Sequence, residues 1–153
     1  MLDRLDKQLL AELQKDASLS LQELGERVNL SSTPCWRRVQ KLEQMGYIRG
    51  RVALLEPSRL NVGVTVFVAL RGEHNDAWMR KLCDVVDTIP EVVEFYRMSG
   101  DTDYLLRLVV PDVKGYDRVY KRLVANLEFS SVSSSFAMEQ IKYTTALPLQ
   151  FIG

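Results

Sequence analysis

The chain has 153 residues, of which 46% are hydrophobic, and its 20 basic and 20 acidic residues give a formal net charge of zero. This composition supplies a core for one medium-sized domain or two small ones and excludes a disordered chain. The start of the chain is charged, and no apolar run approaches the roughly 18 residues of a membrane span, so we expect a cytoplasmic protein without signal peptide or anchor. Two distant cysteines and a single histidine predict no disulfide framework and no closed zinc site. We expect no cofactor.

The first predicted element is a helix from about Asp3 to Asp16. Its leucines recur with a helical period and would form one apolar side, made of Leu2, Leu5, Leu9, Leu10 and Leu13. Such a helix would cover the next two helices and complete a three-helix core.

The second predicted helix begins at Leu21, because Ser20 and Glu23 have the spacing of a capping box. It ends near Asn29, and Gly25 leaves room for a close neighbour. A short turn over residues 29–31 leads to a third helix, for which Thr33 suits the N-cap and Pro34 the first helical position. The two helices thus flank a tight turn.

The third helix has two chemically different faces. Cys35, Val39 and Leu42 fall together and predict a packed side, on which the Cys35 thiol is a small buried group. The opposite side carries Arg37, Gln40, Lys41 and Gln44, with Trp36 and Arg38 at the borders. Guanidinium and amide groups suit base edges in a major groove, so the pattern predicts a helix-turn-helix with a recognition helix. The alternative from charge alone is a solvated helix of a small bundle.

The charges are not evenly distributed along the chain. Residues 31–55 hold five basic residues against Glu43 alone, whereas residues 1–30 and 56–153 are slightly acidic. The positive region therefore coincides with the predicted recognition helix and the segment after it. That segment, residues 47–55, predicts either a small wing whose Arg49 and Arg51 contact phosphates or a plain linker strand.

The hydrophobic period changes from 3.6 to 2 across residues 56–62, which predict a hinge between a domain over 1–55 and a second over 63–153. In the second domain, the hydrophobic pattern predicts strands over 64–70, 92–99, 104–110 and 132–143. It predicts helices before Pro90 and around residues 116–127. The order βαββαβ favours an α+β, ferredoxin-like domain with both helices on one face of an antiparallel sheet. Because strand residues such as Phe67 are apolar on the other face too, we expect that face to pack against a second subunit.

Three segments resemble one known family: LDRLDKQLLAELQKD from Leu2, LSSTPCWRRVQKLEQMGYIRGRVALLEP from Leu30, and SGDTDYLL from Ser99, followed by VPD. Over nearly the whole chain the sequence is similar to the Lrp/AsnC feast/famine transcriptional regulators. The ending SSSFAMEQIKYTTALPL is most similar to the DecR-type members, which implies a response to cysteine.

The resemblance implies a winged helix-turn-helix domain joined to an effector and assembly domain. It implies double-stranded DNA and a small amino acid as partners, and homodimers that assemble into octamers or similar disks. The expected DNA contacts are Ser32, Thr33, Pro34, Trp36, Arg37, Arg38, Gln40, Lys41, Arg49 and Arg51. The family's effector pocket lies between dimers and implies contacts from Met98, Gly100, Asp101, Asp103, Tyr104 and a neighbour's Ser133, Ser134, Ser135 and Phe136.

The chemistry of these segments agrees with an amino-acid effector. Asp101 or Asp103 offers a carboxylate for an ammonium group, and Gly100 and the serines offer donors for a carboxylate. From the residues alone, Gly100–Asp103 also fits an ordinary β-turn, Ser133–Ser135 a polar edge, and His74 an exposed loop position.

Two other functions remain open at this point. A small ferredoxin-like enzyme is poorly supported, because no nucleophile with a base, metal-ligand spacing or phosphate loop is present in the sequence. An architectural protein that wraps DNA without ligand control fits the same elements. The expected function is a sequence-specific DNA-binding transcriptional regulator whose DNA affinity or assembly responds to an amino acid.

Overall fold

A computed structural model describes all 153 residues, which divide into two compact units. The first unit contains residues 1–53 together with 142–153, and the second contains residues 54–141. The boundary at residues 53 and 54 lies just before the expected hinge over 56–62. The last twelve residues differ from the expectation of a second domain over 63–153, because they pack with the first unit. None of the helices combines the length and the apolar character that a membrane span requires.

The first unit is a three-helix bundle, as the sequence predicts. Its helices are α1, Arg4–Lys15; α2, Leu21–Val28; and α3, Ser32–Gln44. The buried core takes side chains from all three helices and from Leu2, which precedes α1. The helical members are Leu9, Leu10, Leu24, Val28, Cys35, Val39 and Leu42. Burial raises the pKa of the Cys35 thiol, which keeps it neutral and suits a packing role.

The turn between α2 and α3 depends on local backbone geometry. Ser20 and Glu23 form the predicted capping box, and Asn29 ends α2 in the left-handed conformation with φ of 58°. The Leu30 amide donates to the Gly25 carbonyl at 2.8 Å, and the Leu30 carbonyl lies where a Cβ of residue 25 would stand. The turn therefore requires glycine at position 25.

The start of α3 differs from the prediction. The N-cap is Ser31 and the helix begins at Ser32, so Thr33 is not the cap and Pro34 is the third helical residue. A proline fits there because the amides of the first turn have no partner within the helix. The first α-helical bond runs from the Cys35 amide to the Ser31 carbonyl at 3.1 Å.

The C-terminal residues pack against α1. The Leu147 amide and carbonyl pair with the Gln14 side-chain amide at 2.6 and 3.1 Å, and the Lys7 ammonium donates to the Ile152 carbonyl at 2.8 Å. Leu149 and Ile152 pack against the three-helix core. The C-terminal tail, residues 142–153, is thus an added layer of the first unit.

The segment after α3 is irregular and pairs with no strand of this chain. Residues 47–56 form no strand, so the chain shows the linker and not a wing hairpin. A short 3₁₀ turn, Pro57–Leu60, follows, with the Glu56 side chain capping its start.

The second unit has the predicted βαββαβ order and an antiparallel sheet with the strand order β2-β3-β1-β4. Its elements are β1, Val64–Arg71; α4, Asp76–Asp87; β2, Val92–Arg97; β3, Tyr104–Val110; α5, Val113–Val124; and β4, Ser131–Phe136. Strand β2 stops before the predicted end at residue 99, and β4 stops at Phe136 although an extended pattern reaches Tyr143. One hydrogen bond continues each pairing beyond the strand end, from the Met98 amide to the Asp103 carbonyl and from the Ala137 amide to the Thr65 carbonyl, and the regular pairing stops there.

The two faces of the sheet differ in burial. Alternate residues of β1 and β3 pack against α4 and α5, and the core includes Val66, Val68, Leu70, Leu82, Leu106, Leu108, Val119 and Leu123. On the opposite face, Phe67 and Tyr96 are 40% and 50% exposed. An Arg107–Glu94 pair at 2.5 Å lies among these apolar groups. This outer face is unusually apolar for a solvated surface.

Candidate functional sites

The outward side of α3 is basic and accessible. Arg37 and Lys41 are exposed, and the Trp36 ring beside them is 48% exposed. The polar residues Ser32 and Thr33 and the adjacent Pro34, in the first turn, are exposed as well. The amphipathic pattern of the sequence therefore places most predicted DNA contacts on one accessible surface.

Arg38 has a different environment from the other predicted DNA contacts. Its guanidinium donates to the Asp3 carboxylate at 2.7 Å and to the buried Asp6 carboxylate at 2.8 Å. The Asp6 amide and the Arg38 guanidinium hold the pKa of the Asp3 carboxyl below its usual value, and the two carboxylates raise the pKa of Arg38. In this structure Arg38 joins α3 to the N-terminus of α1.

Gln40 and Arg51 converge on a single carboxylate. Gln40 Nε2 donates to Glu43 Oε2 at 3.1 Å, and Arg51 Nη1 donates to Glu43 Oε1 at 2.5 Å. Arg49, in the same irregular segment as Arg51, is exposed. Glu43, the one acid of residues 31–55, was not among the predicted site residues.

The β2–β3 connection holds the predicted effector loop. The Met98 amide donates to the Asp103 carbonyl at 2.8 Å, and the Asp103 amide donates to the Leu70 carbonyl at 3.0 Å. Gly100 has φ of 90°, a conformation that favours glycine. Asp101 projects fully into solvent, while its carbonyl accepts from Arg71. The loop is thus a bend closed by the Met98–Asp103 hydrogen bond, in which the Asp103 side chain is largely buried and the Asp101 side chain is exposed.

The Asp103 carboxylate lies in a polar cleft of about 310 Å³. One oxygen accepts from the Gly72 amide at 3.1 Å, and the other is 3.4 Å from His74 Nε2. The cleft is lined by His74, Asn75, Asp76, Met79, Arg97, Met98, Asp103 and Tyr104. Three of these, Met98, Asp103 and Tyr104, were predicted ligand contacts.

Sequence reasoning missed the other side of this cleft. His74 does lie in an exposed loop, as the sequence indicates, and from that loop it lines the cleft. No sequence pattern marks Arg97 as part of a site. Arg97 reaches the cleft because it pairs with Tyr104 across β2 and β3, a register that no local sequence signal reveals. His74 and Asn75 arrive through the loop that starts α4.

The serine segment of β4 is divided between the two faces of the sheet. Ser134 and Phe136 lie on the helix side, where the Ser134 hydroxyl contacts the Tyr116 hydroxyl and Phe136 packs edge-on against the Tyr116 ring. Ser133 and Ser135 alternate with them and are exposed on the outer face. None of the four lines the Asp103 cleft of the same chain.

These two units define a class of protein. A helix-turn-helix bundle with a basic, accessible recognition helix binds duplex DNA, and a ferredoxin-like domain with a polar cleft can hold a small ligand. The combination is that of a ligand-responsive DNA-binding regulator.

Comparison with known proteins gives the family. A family profile described as the Lrp/AsnC ligand-binding domain matches residues 65–147, and a winged helix-turn-helix DNA-binding profile matches residues 2–49. The chain belongs to the Lrp/AsnC family of transcriptional regulators and is of the DecR type within it. It is a DNA-binding regulator and not an enzyme.

The relatives cover the chain from end to end. The DNA-binding transcriptional activator DecR of Escherichia coli K12 is 51% identical over 98% of this chain and 100% of its own length. The glutamate uptake regulatory protein of Zymomonas mobilis is 46% identical over 97% of this chain and 91% of its own length.

Two solved structures share the fold. An AsnC family transcriptional regulator from Agrobacterium tumefaciens superposes with a TM-score of 0.94 at 56% identity, covering 99% of both chains. A transcriptional regulator from Neisseria meningitidis in complex with L-Met superposes with a TM-score of 0.93 at 34% identity, covering 98% of both chains.

Proposed function

We propose that the protein reads DNA with α3 and responds to a small amino acid bound at the Asp103 cleft, as a homo-oligomer in the cytoplasm. The observation that carries the proposal is the pairing of charges in the cleft. The Asp103 carboxylate complements an ammonium group, and the Arg97 guanidinium in the same cleft complements a carboxylate. A free amino acid carries both charges.

On the DNA side, the exposed face of α3 supports base reading by Arg37 and Gln40, whose groups match guanine and adenine edges. Lys41, Arg49 and Arg51 supply charge for phosphates, and Ser32, Thr33 and Pro34 bring the N-terminal turn of α3 close to the duplex. Trp36 adds contact area beside them. Arg38 contributes by fixing α3 against α1.

The first effector to test is cysteine. A cleft of about 310 Å³ holds a small amino acid, and Met98 and Met79 offer polarisable contacts to a sulfur-containing side chain. The Neisseria regulator was solved with methionine, another sulfur amino acid. Asp101 and Gly100 lie on the solvent-exposed side of the loop, where they could contact a bound amino acid from the solvent side.

The outer face of the sheet supports homodimers that assemble further, toward an octamer. Its half-exposed apolar residues Phe67 and Tyr96 would be covered by the same face of a second copy. Assembly would also allow Ser133 and Ser135 to approach the effector loop of a neighbouring chain. The effector site is then completed between chains.

The DNA assignment is tested by comparing Gln40→Ala with Lys41→Ala on a site selected from random duplexes by the wild-type protein. Gln40→Ala should reduce the preference for that site by about 1 to 3 kcal/mol, because a base contact is lost. Lys41→Ala should weaken binding to all DNA sequences alike and make the affinity depend less on the salt concentration. Equal losses on specific and random DNA for Gln40→Ala would contradict the groove assignment.

The effector assignment is tested by calorimetric titration of each amino acid into the wild type and into Asp103→Asn. This change removes the charge but keeps an oxygen for the Gly72 amide, so the loop should stay folded. The expected result is loss of binding of the one amino acid that binds the wild type. Unchanged binding by Asp103→Asn would place the effector elsewhere, and no binding by any amino acid would favour an architectural DNA-wrapping protein.

A further inference from the structure

Glu43 contacts two residues of the proposed DNA-binding surface, Gln40 and Arg51, although it is the single acid among residues 31–55. It is on the last turns of α3, with its side chain 28% exposed. Its two carboxylate oxygens accept from different groups, Oε2 from Gln40 and Oε1 from Arg51. A carboxylate close to DNA phosphates weakens binding by charge repulsion. Its presence on this surface therefore suggests another role.

The contact with Gln40 fixes which way the glutamine amide faces. A side-chain amide has an oxygen that accepts and a nitrogen with two hydrogens, and the two ends are similar in size. A carboxylate only accepts hydrogen bonds, so the Gln40 oxygen is repelled and the nitrogen must face Glu43. The second N–H and the oxygen of Gln40 remain free. One donor and one acceptor side by side form the pattern that pairs with adenine N7 and N6 in the major groove.

The contact with Arg51 offsets the charge of Glu43. The guanidinium lies 2.5 Å from Oε1 and neutralises the carboxylate on the surface that meets the duplex. Because an arginine has five N–H donors, Arg51 can keep this bond and still donate to a phosphate. The acid therefore orients Gln40 without presenting an unshielded negative charge to DNA.

We propose that Glu43 is a specificity-determining positioning residue, which holds the Gln40 amide in the one orientation that reads adenine while Arg51 shields its charge. The inference rests on the proposed DNA-binding surface of α3. A simpler role would be to attach the segment after α3 to the helix. That role would affect stability and overall affinity but would not distinguish one base from another.

The test uses Glu43→Gln in the full-length protein, with binding measured on the selected site and on the same site with each adenine changed to guanine. The variant keeps the shape and an oxygen for Arg51, but its amide accepts either orientation of Gln40. We expect the preference for adenine at one position to fall about fivefold to tenfold, which corresponds to about 1 to 1.4 kcal/mol, the lower end of the range for a bidentate pair, because the Gln40 contact loses its fixed orientation and is not removed. The affinity for random DNA should stay the same or increase, because the variant lacks the negative charge of Glu43.

Two further variants separate the inference from the proposed surface. In a Gln40→Ala background, Glu43→Gln should have no additional effect on base preference, because Glu43 acts through Gln40. Arg51→Ala should weaken binding to all DNA sequences and leave the preference for adenine unchanged. If Gln40→Ala relaxes the preference and Glu43→Gln does not, the inference about Glu43 is wrong. If Gln40→Ala has no effect on preference, the DNA-binding surface itself is wrong.

Discussion

At the scale of single residues, Arg38 shows that a basic residue on a recognition helix can have a structural role. Its bonds to Asp3 and Asp6 connect α3 to the capped start of α1. The Asp6 carboxylate is buried, so removal of the guanidinium leaves a charge with less compensation. Arg37, one position earlier on the same helix, is exposed.

Arg38→Ala should therefore lower the free energy of unfolding of the DNA-binding unit by about 1 to 3 kcal/mol. Arg37→Ala should leave stability within about 0.5 kcal/mol of the wild type and reduce DNA affinity instead. Thermal and urea unfolding of both variants, together with DNA titrations, measure the two effects. An Arg38→Ala protein as stable as the wild type would contradict the assigned role.

The Arg107–Glu94 ion pair on the outer face of the sheet should make stability depend on pH. The Arg107 hydrogen bond holds the pKa of the Glu94 carboxyl below its ordinary value of 4.5. A lowered pKa in the folded state means that the pair stabilises above the ordinary value, and that this contribution disappears as the pH falls through the lowered one. Glu94→Gln should cost at most about 1 kcal/mol at pH 7. The difference in the free energy of unfolding from the wild type, measured by urea unfolding, should shrink as the pH falls below the ordinary carboxyl pKa. A difference that does not change with pH would exclude the Arg107–Glu94 pair as its source.

At the scale of elements, the turn between α2 and α3 sets the position of the recognition helix. A Cβ on residue 25 would overlap the Leu30 carbonyl oxygen, and backbone cannot move aside as a flexible side chain can. Gly25→Ala should therefore destabilise the first unit by about 1 to 3 kcal/mol and weaken DNA binding. Gly50→Ala is the matched control, since its Cβ would meet no atom within 4 Å. Equal melting temperatures for the two variants would argue against this turn geometry.

The C-terminal tail is the element that the sequence placed in the other domain. Truncation after Ala146 removes the Gln14–Leu147 and Lys7–Ile152 hydrogen bonds and the packing of Leu149. We expect a lower unfolding temperature for the unit that contains Trp36, with the unit that contains Trp78 unaffected. Calorimetry resolves the two transitions. Phe151→Ala serves as the control because its ring is 80% exposed, and a truncated chain with an unchanged profile would show that the tail contributes nothing.

At the scale of the whole molecule, the outer face of the sheet is the proposed contact between copies. Phe67→Asp places a charge in the middle of that face and should yield a particle near the 17.5 kDa of one chain in sedimentation experiments. Val113→Asp is the control, since Val113 is an exposed apolar residue at the start of α5. Retention of the larger mass by Phe67→Asp would place the interface on another surface.

Elements that depend on local periodicity could be predicted from the sequence. Contacts between residues that are distant in the chain could not. The three helices, the capping box at Ser20 and the βαββαβ order follow from hydrophobic spacing and turn residues. The partners of Arg38 lie more than thirty positions away in the chain, and Arg97 joins the Asp103 cleft only through strand register. The tail was missed because its two packed residues, Leu149 and Ile152, lie in irregular chain with no period.

We propose that one amino acid, bound at the Asp103 cleft, changes how α3 binds DNA. The most direct measurement is fluorescence anisotropy of DNA from upstream of the protein's own gene, titrated at one fixed salt concentration with and without each amino acid. Salt must be constant because phosphate contacts alone change affinity by orders of magnitude. We predict that one amino acid, with cysteine tested first, shifts the wild-type curve and leaves the curve of Asp103→Asn in place, and the shift gives the coupling free energy. Specific DNA binding that no amino acid alters, or an equal shift in Asp103→Asn, would contradict the account.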